Sequence, residues 1–416
     1  MNYLDFAFRN IKRHKKRSFV TIFTICLGFT ALGVIGGILN NIFSRLSEQA
    51  IIVEKLGHIT IAKEGFFKNG KISPEDYLWK EDELAKILQI LRSDPEVDIA
   101  TPRLSLFGLI SNGKSSTIFI TEAIVPKDDH ELMKMSIDGR TKHLGAISLS
   151  DKPSKQSEVA IGSELATNLG LSQGEYLTLL TSTKDGIANA LDVDIDQIYN
   201  TGNPATNDKF VLTNFYLAQK LYDTQGAERI VITIKDLQKL KEVQKRLTAK
   251  LRQSGFAIES KPWNEISLTY DKVKKMFSVI FRVLTIIITV IVLLTLLNTM
   301  QMTVTERTRE IGTIRAIGML RKNVIKIFCI EGVLMGLIGC FLGFPILLGI
   351  SQILKSLHVT FTPPVASTEV PIALILKPTS IIPVFVLFCI ASLASSFIAS
   401  RRIAKQKVVT SLMNTN

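Results

Sequence analysis

Four long apolar stretches constrain this chain more than any other feature of its sequence. They run from Ser18 to Asn41, from Val283 to Thr305, from Ile327 to Gln352 and from Pro378 to Ser400. Apart from Glu331 in the third stretch, none contains a charged residue. A helix needs roughly 20 such residues to cross a bilayer. We therefore expect an integral membrane protein with four spanning helices.

The composition places a water-soluble part in the same chain. The mean hydropathy is +0.26, yet 21% of the 416 residues are charged. Apolar and charged residues therefore belong to different regions, and most charges fall between the first and second apolar stretches. That region contains none of the four cysteines. We expect an inserted α+β domain that is stabilised by its buried core and holds no disulfide.

Local patterns predict individual elements of this inserted domain. They indicate strands at 57–62 and 230–234, helices at 81–92 and 236–254, a hairpin over 103–125, a strand and helix over 157–169, and a polar loop at 183–208. Residues 42–56 predict an extension of the first spanning helix. Residues 264–282 predict a helix that continues into the second spanning helix.

Basic residues flank the apolar stretches and predict the topology. Residues 1–17 hold six Lys or Arg and one Asp. Residues 301–324 hold five Lys or Arg and two Glu, and the tail from 401 holds four Lys or Arg and no acidic residue. Lys and Arg concentrate in cytoplasmic segments next to spanning helices. Both termini should therefore be cytoplasmic. The net charge of +13 then indicates topology and contact with anionic lipid headgroups rather than with nucleic acid.

These signals give one organisation for the whole chain, in which the first apolar stretch is an uncleaved anchor. We predict a basic N-terminus (1–17), a first spanning helix (18–41), an inserted domain with helical stalks (42–275), a second spanning helix (276–302), a cytoplasmic helix (303–324), a third spanning helix (325–353), an outer loop (354–378), a fourth spanning helix (379–400) and a basic tail (401–416). Four prolines make a long helix in the outer loop unfavourable.

The third apolar stretch carries four glycines in two G-x-x-x-G spacings: Gly332, Gly336, Gly339 and Gly343. Small residues at this spacing let helix backbones approach closely in lipid. They predict either packing within the bundle or a helix that slides against a partner subunit. Glu331 and Arg282 lie near the ends of spanning segments, where we expect their charges to reach the membrane interface.

No part of the sequence predicts catalysis. Residues 108–115 fit the phosphate-loop pattern G-x-x-x-x-G-K-[ST], but a strand pattern follows where that chemistry needs a helix. We interpret Asn112-Gly113 as a hairpin turn. The five histidines are scattered, with no metal-ligand spacing. We therefore predict a non-catalytic chain with no catalytic, metal or cofactor residues of its own.

The segment between the second and third apolar stretches carries the strongest motif. Its isoleucines Ile311, Ile314 and Ile317 share one helical face, and charged residues occupy another. This pattern predicts a helix over 303–320 that lies flat under the membrane. It either presents its charges to a cytoplasmic partner or only anchors the loop.

The run ERTREIGTIRAIG in this segment, followed by a Gly-rich spanning stretch, resembles the signature of the FtsX/MacB-type ABC transporter permeases. The layout of the whole chain and the opening Arg9-Asn10-Ile11 are also similar to that family. Gly57-His58-Ile59-Thr60-Ile61 and Thr201-Gly202-Asn203, with the later Leu217-Ala218-Gln219, are most similar to its lipoprotein-releasing, LolC/LolE-like branch.

The resemblance implies a permease subunit in a bacterial inner membrane. Two copies of a separate ATPase, which bind ATP and magnesium, would pair with two permeases, the second identical or related. The residues that the resemblance assigns to ATPase coupling are Glu306, Arg307, Arg309, Glu310, Gly312, Arg315 and Gly318. It also implies a carrier or adaptor protein outside the membrane, for which 183–208 is the candidate loop.

Three functions remain open at this point. The leading one is extraction or export of an acylated protein from the membrane. The alternatives within the family are MacB-like efflux of amphipathic molecules or peptides, and FtsX-like signalling to an enzyme outside the membrane. A membrane-anchored receptor without an ATPase belongs to a different class.

Overall fold

The computed structural model describes residues 3–13, 15–70, 72–135, 149–150, 157–202, 205–357, 359–361 and 370–404. Contacts divide the chain into two compact units. The helical unit comprises Met1–Phe43, Val273–Val359 and Pro371–Asn416, and the inserted domain comprises Ser44–Lys272 and Thr360–Val370. The basic tail from residue 405, together with Pro363 and Pro364, lies outside the described residues.

Six α-helices contribute to the helical unit. They are α1 (Tyr3–Arg13), α2 (Lys15–Glu48, continued by a π-helical turn, Gln49–Val53), α10 (Leu268–Glu306), α11 (Thr308–Ala316), α12 (Arg321–Ser356) and α13 (Pro378–Ala404). Four of them, α2, α10, α12 and α13, are long and apolar enough to span a membrane. The four apolar stretches thus form the expected helices, each longer than its apolar core because the helix continues into polar sequence.

The long helices pack against one another through large apolar side chains and through glycines. Ile25, Phe29 and Leu32 of α2 form a buried cluster with residues of α10, α12 and α13. A Cβ atom on Gly332 would lie 1.8 Å from Oγ of Ser396, and one on Gly343 would lie 2.8 Å from Cδ1 of Phe29. Gly336 and Gly339 make equally close contacts to α13 and α2. These four glycines of α12 therefore lie at helix contacts within the chain, whereas a Cβ on its fifth glycine, Gly349, would meet nothing within 4 Å.

The described residues of the inserted domain form seven α-helices and nine strands. Its helices are α3 (Phe66–Asn69), α4 (Glu81–Arg92), α5 (Pro126–Lys134), α6 (Ser163–Leu169), α7 (Phe215–Tyr222), α8 (Leu240–Gln253) and α9 (Trp263–Ile266). Its strands are β1 (Ile59–Lys63), β2 (Val97–Ser111), β3 (Ser116–Ile124), β4 (Glu158–Gly162), β5 (Tyr176–Ser182), β6 (Ala188–Tyr199), β7 (Phe210–Asn214), β8 (Arg229–Ile234) and β9 (Ile258–Pro262). Short strands β10 (Thr360–Phe361) and β11 (Val370–Pro371) follow α12.

The long strand β2 organises the sheet, whose order is β3-β7-β4-β6-β5-β2-β8-β1-β9 with a further pairing of β3 to β2. Six strands therefore pair in a closed circuit, and three more extend from β2. Most pairs are antiparallel, but β3–β7 and β4–β6 are parallel. Gly108 lies where β2 approaches β5, and a Cβ there would lie 2.0 Å from the Leu180 carbonyl oxygen. The mixed sheet with its helices confirms the expected α+β domain.

Most local predictions for this domain are confirmed. The strands, helices and hairpin appear where their patterns indicated, and Asn112 closes the hairpin by accepting hydrogen bonds from the N–H groups of Lys114 and Ser115. The phosphate-loop match is thus the end of β2 followed by the hairpin connection to β3. The prediction of a loop over 183–208 is wrong, because β6 occupies its centre. Val193 and Ile195 are buried and alternate with aspartates, a strand period that the polar composition conceals.

Candidate functional site

We call residues 306–320, which join α10 to α12, the connector. The prediction of one helix over 303–320 is wrong at both ends. The second long helix continues to Glu306, and within it the hydroxyls of Thr303 and Thr305 donate to carbonyl oxygens four residues earlier. The chain then breaks at Arg307, with φ −98° and ψ 10°, and α11 covers Thr308–Ala316 alone.

Gly318 ends α11. Its φ is +108°, a left-handed conformation that favours glycine. The N–H of Met319 donates to the carbonyl oxygen of Ile314, and the N–H of Gly318 donates to that of Arg315. These two bonds form a Schellman motif, which satisfies the last carbonyls of the helix. Gly318 therefore sets the point at which the connector turns toward α12.

Arg307 is buried and ties the connector to α12. Its Nε donates to Oε2 of Glu310 at 3.2 Å, and its Nη1 lies 3.9 Å from Oε2 of Glu331. Its guanidinium also lies over the ring of Phe328 at 6.0 Å. The Glu331 side chain is buried, and Arg307 supplies the opposite charge that makes this tolerable. The expectation that its charge reaches the membrane interface stays a prediction.

Two arginines from the N-terminal region reach the other side of the connector. Arg13, at the end of α1, lies 3.4 Å from Glu310, and Arg17, in the first turn of α2, donates two hydrogen bonds to Glu306. The sequence reasoning treated residues 1–17 only as a basic tail and missed α1. The signal was present in Leu4, with Ala7 and Ile11 at helical spacing.

The isoleucines of the connector separate in the structure. Ile311 is buried in a cluster with Val304, Val324 and Phe328. Ile317 follows the helix and is 83% exposed, and Leu320 is 68% exposed. The shared face predicted for the three isoleucines is therefore wrong at Ile317, because the helix ends before it.

The charged residues assigned to the connector differ in exposure. Arg309 and Glu310 are exposed, Arg315 is half-buried, and Gly312 faces the protein interior. A shallow depression of about 30 Å³ lies beside them, lined by α11 and the start of α12. The connector thus combines a buried anchor, Arg307, with an outer surface that holds both charges and two exposed aliphatic side chains.

The inserted domain holds a second constellation, which we call the domain charge network: Lys55, Arg103, Glu122, Asp129, Glu228 and Arg229. Asp129 is fully buried and accepts from Nζ of Lys55 at 2.8 Å and from Nη2 of Arg103 at 3.4 Å. Arg103 lies 3.9 Å from Glu122, which also pairs with Arg229. Burial lowers the pKa of Lys55 and that of Arg103, and the charge of Asp129 opposes both shifts.

Lys55 has an unusual backbone. Its φ is +58°, a left-handed value that is uncommon outside glycine. It follows the π-helical turn Gln49–Val53 that continues α2. The ion pair with buried Asp129 fixes the side chain and thereby stabilises this conformation. The domain charge network therefore fixes the backbone at Lys55, directly after the π-helical turn that continues α2.

His58 is the other buried titratable group near this point. Its Nδ1 accepts a hydrogen bond from the N–H of Ile234 at 3.0 Å. Burial lowers the pKa of His58 to about 4. The ring is neutral at physiological pH and completes the pairing of β1 with β8, so it is a structural group.

One face of the β2–β3 hairpin is apolar and exposed. Phe107 lies opposite Ile120, and Leu109 lies opposite Ile118 on one side and Leu180 on the other. All five side chains are exposed, Phe107 by 65%. Patches of this kind mark sites that bind a partner or an apolar ligand. Among the described residues no group of three or more His, Cys, Asp or Glu could hold a metal ion.

Comparison with known proteins gives two family matches. Residues 18–250 match the MacB-like periplasmic core domain, and residues 282–408 match the FtsX-like permease C-terminal region. Together they cover most of the inserted domain and most of the four long helices, and leave out residues 251–281.

Individual relatives cover nearly the whole chain. A protein of Acinetobacter baylyi named as the macrolide export ATP-binding/permease protein MacB is 22% identical over 98% of this chain, which spans 58% of that protein's length. The lipoprotein-releasing system transmembrane protein LolC of Xylella fastidiosa is 23% identical over 92% of this chain and 89% of its own length. The crystal structure of the periplasmic region of MacB from Actinobacillus actinomycetemcomitans is 12% identical, covers 51% of this chain and 92% of its own, and has a TM-score of 0.36.

Proposed function

The chain belongs to the family of ABC transporter permeases that combine a MacB-like periplasmic core domain with an FtsX-like C-terminal region, and we propose that its connector docks a separate cytoplasmic ATPase. In this proposal both termini and the connector face the cytoplasm of a bacterial inner membrane, and the inserted domain faces outward. Two such permeases, identical or related, would bind two ATPase copies, which carry the ATP and magnesium.

The observation that carries the proposal is the construction of the connector. It exposes two aliphatic side chains, Ile317 and Leu320, and the charged side chains of Arg309 and Glu310. A segment that exposes both aliphatic and charged groups suits a protein partner better than solvent. Behind this surface, Arg307 is held by Glu331 of α12. A force applied to the outer surface would therefore pass into a long helix.

The helices adjoining the connector offer a route for this movement. The second long helix, α10, runs as one element from Glu306 back to Leu268, and its first five residues belong to the inserted domain, which ends at Lys272. The third, α12, begins at Arg321. Closure of the ATPase pair would shift the connector, and these helices would carry the shift outward to the inserted domain. In this account Arg307 anchors the connector and the exposed residues meet the ATPase.

We propose an acylated protein as the substrate. The relative matched over 89% of its length is named for lipoprotein release, and the exposed apolar face around Phe107 and Leu109 suits a lipid-bearing ligand. Export of an amphipathic small molecule is the second candidate, since another relative is named for macrolide export. The apolar face could bind either substrate. The net positive charge of the chain favours anionic lipid headgroups as a further contact of the protein.

Co-purification tests the docking proposal. An affinity-tagged chain, extracted from its native membrane, should bring down an ABC ATPase in equal amount. Ile317→Asp combined with Leu320→Asp should remove the ATPase while the chain still inserts in the membrane. The matched control is Ile72→Asp in the inserted domain, because Ile72 is 81% exposed and Ile317 is 83% exposed. Retention of the ATPase by the double variant would overturn the proposed docking surface.

The substrate requires its own experiment. The purified complex in proteoliposomes should release an acylated protein in an ATP-dependent manner, and the same protein without its acyl chain should not be released. Stimulation of the ATPase by a macrolide, with no release of the acylated protein, would favour the efflux candidate.

A further inference from the structure

Two arginines near the N-terminus pair with two glutamates of the connector. Arg13 Nη1 lies 3.4 Å from Oε1 of Glu310, and Arg17 binds both oxygens of Glu306. The paired residues are 297 and 289 positions apart in the sequence. The N-terminal region therefore meets the connector at two separate points, both of them within the helical unit.

The first helix holds Arg13 in a defined position. Ala7 is fully buried. Ile11 packs against a cluster formed by residues of α10, α12 and α13, and α1 lies along α12. Apolar contacts thus fix the backbone of α1, and Arg13 extends from a packed helix rather than from a loose tail. Arg17 lies two residues inside α2, which is also packed.

The two ion pairs are too exposed to hold the fold together. The Arg13 side chain is 68% exposed and that of Glu310 is 46% exposed, while Arg17 and Glu306 are 31% and 42% exposed. Exposed pairs of this kind contribute little to stability. Buried contacts of Arg307 with Glu331 already keep α11 in place. What the exposed pairs do control is the direction of the two carboxylates and the local charge of the connector.

We propose that α1 and the first turn of α2 form a positioning element for the connector, in which Arg13 and Arg17 set the orientation of two carboxylates, that of Glu310 in α11 and that of Glu306 at the end of α10. This inference rests on the proposed function, because it takes an ATPase as the docked partner. Arg13 and Arg17 are positioning residues and need not touch the ATPase. Their effect is to present one docking geometry, so that ATPase closure is passed on efficiently.

Charge reversal with rescue tests this proposal in the complete complex, purified with its ATPase and reconstituted in neutral phosphatidylcholine nanodiscs. Arg13→Glu with Arg17→Glu should lower the coupled ATPase rate about five-fold, the scale of a weak ion pair, while the ATPase still co-purifies. The exchanged pair, Arg17→Glu with Glu306→Arg, should restore to within about two-fold the rate that Arg17→Glu alone lowers. Glu310 is not exchanged, because it also accepts a hydrogen bond from Arg307.

Controls separate this role from lipid attraction. Lys12→Glu with Lys16→Glu changes the same net charge on neighbouring exposed positions, and should leave the rate unchanged. An equal loss in that control would show that the arginines act through lipid or general charge. Failure of the exchanged pair to restore the rate, with loss of the ATPase from Glu306→Arg alone, would show that Glu306 contacts the ATPase directly. Either result overturns the positioning role.

The outcome for the wild-type chain keeps the two proposals distinct. If no ATPase co-purifies with the unmodified chain, the proposed function fails and the positioning role fails with it. If the ATPase co-purifies and its rate is indifferent to all charge reversals, the docking proposal stands and only the positioning role is contradicted.

Discussion

Ion pairs in the inserted domain and ion pairs at the connector use the same residue types in opposite surroundings. In the domain charge network, Asp129 and Arg103 are fully buried, and Lys55 is 3% exposed. At the connector, the Arg13 and Glu310 side chains are 68% and 46% exposed. The first set is sealed from water, whereas the second competes with water and with any partner that approaches.

The difference teaches what each set can do. Removing one partner of a buried pair leaves a charge without solvent, so such pairs fix a structure that cannot rearrange cheaply. Exposed pairs contribute at most about 1 kcal/mol each. They can be exchanged for contacts with another protein. The buried pairs hold the start of the inserted domain rigid, and the exposed pairs let the connector adjust. Both properties suit a permease in which movement of the connector is passed to the inserted domain.

The largest expected effect is at Asp129. Asp129→Ala leaves Lys55 and Arg103 without their shared carboxylate, and should lower the unfolding free energy of the inserted domain by about 3–5 kcal/mol. Both tryptophans, Trp79 and Trp263, lie in this domain, so their fluorescence during urea unfolding of the full chain in detergent reports it. Glu131→Ala, an exposed position on the same helix, is the control and should change stability by less than about 0.5 kcal/mol.

The second prediction concerns pH. In the unfolded chain His58 takes up a proton below its ordinary pKa of 6.5. In the folded domain its pKa is about 4, so the ring stays neutral until the pH falls that far. The contribution of His58 is therefore complete above pH 6.5 and is lost as the pH falls from 6.5 to about 4, by about 3 kcal/mol in all. The same fluorescence assay should show a flatter pH dependence in His58→Asn. Identical profiles for the two chains would mean that His58 is not sealed from water.

Two glycines of α12, one in close contact with α13 and one in open space, can be compared inside the helical unit. Gly332→Ala would place a Cβ 1.8 Å from Ser396 Oγ and should destabilise the helices by about 1–3 kcal/mol. Gly349→Ala on the same helix meets nothing within 4 Å, and should be neutral or slightly stabilising, since alanine favours helix. Thermal unfolding followed by circular dichroism distinguishes the two. Equal melting temperatures would contradict the close approach of α12 to α13.

The smallest effect should come from the exposed pairs. Arg13→Ala should change the melting temperature of the helical unit little, because the pair contributes at most about 1 kcal/mol. A loss as large as that of Asp129→Ala would place Arg13 among the structural residues and erase the distinction between the two sets of ion pairs.

The sequence predicted the parts of the fold that depend on local pattern. Charge-free stretches identified the long helices, and Asn112-Gly113 identified the hairpin. Patterns that mix two signals were misinterpreted: Val193 and Ile195 form a strand among aspartates, and the basic character of residues 1–17 hid α1. The pattern of the connector located the segment but not its ends.

The partners of the candidate site could not be predicted from the sequence. Arg307 meets Glu331, and Arg13 meets Glu310, across different helices. No spacing rule along one element relates these residues, since their contact depends on how the helices pack. The same packing decides that Arg307 faces inward while Arg309 faces outward. The roles of the connector residues in ATPase coupling stay predictions.

Photocrosslinking tests the central claim most directly. A photoreactive benzoylphenylalanine at position 317 of the full chain, irradiated in membranes, should form a covalent product with an ABC ATPase. The product should decrease when Leu320→Asp is added. The same group at position 72, equally exposed in the inserted domain, should give no such product. Absence of the ATPase product at 317, or equal yields at 317 and 72, would contradict the account of the connector as the ATPase-docking surface.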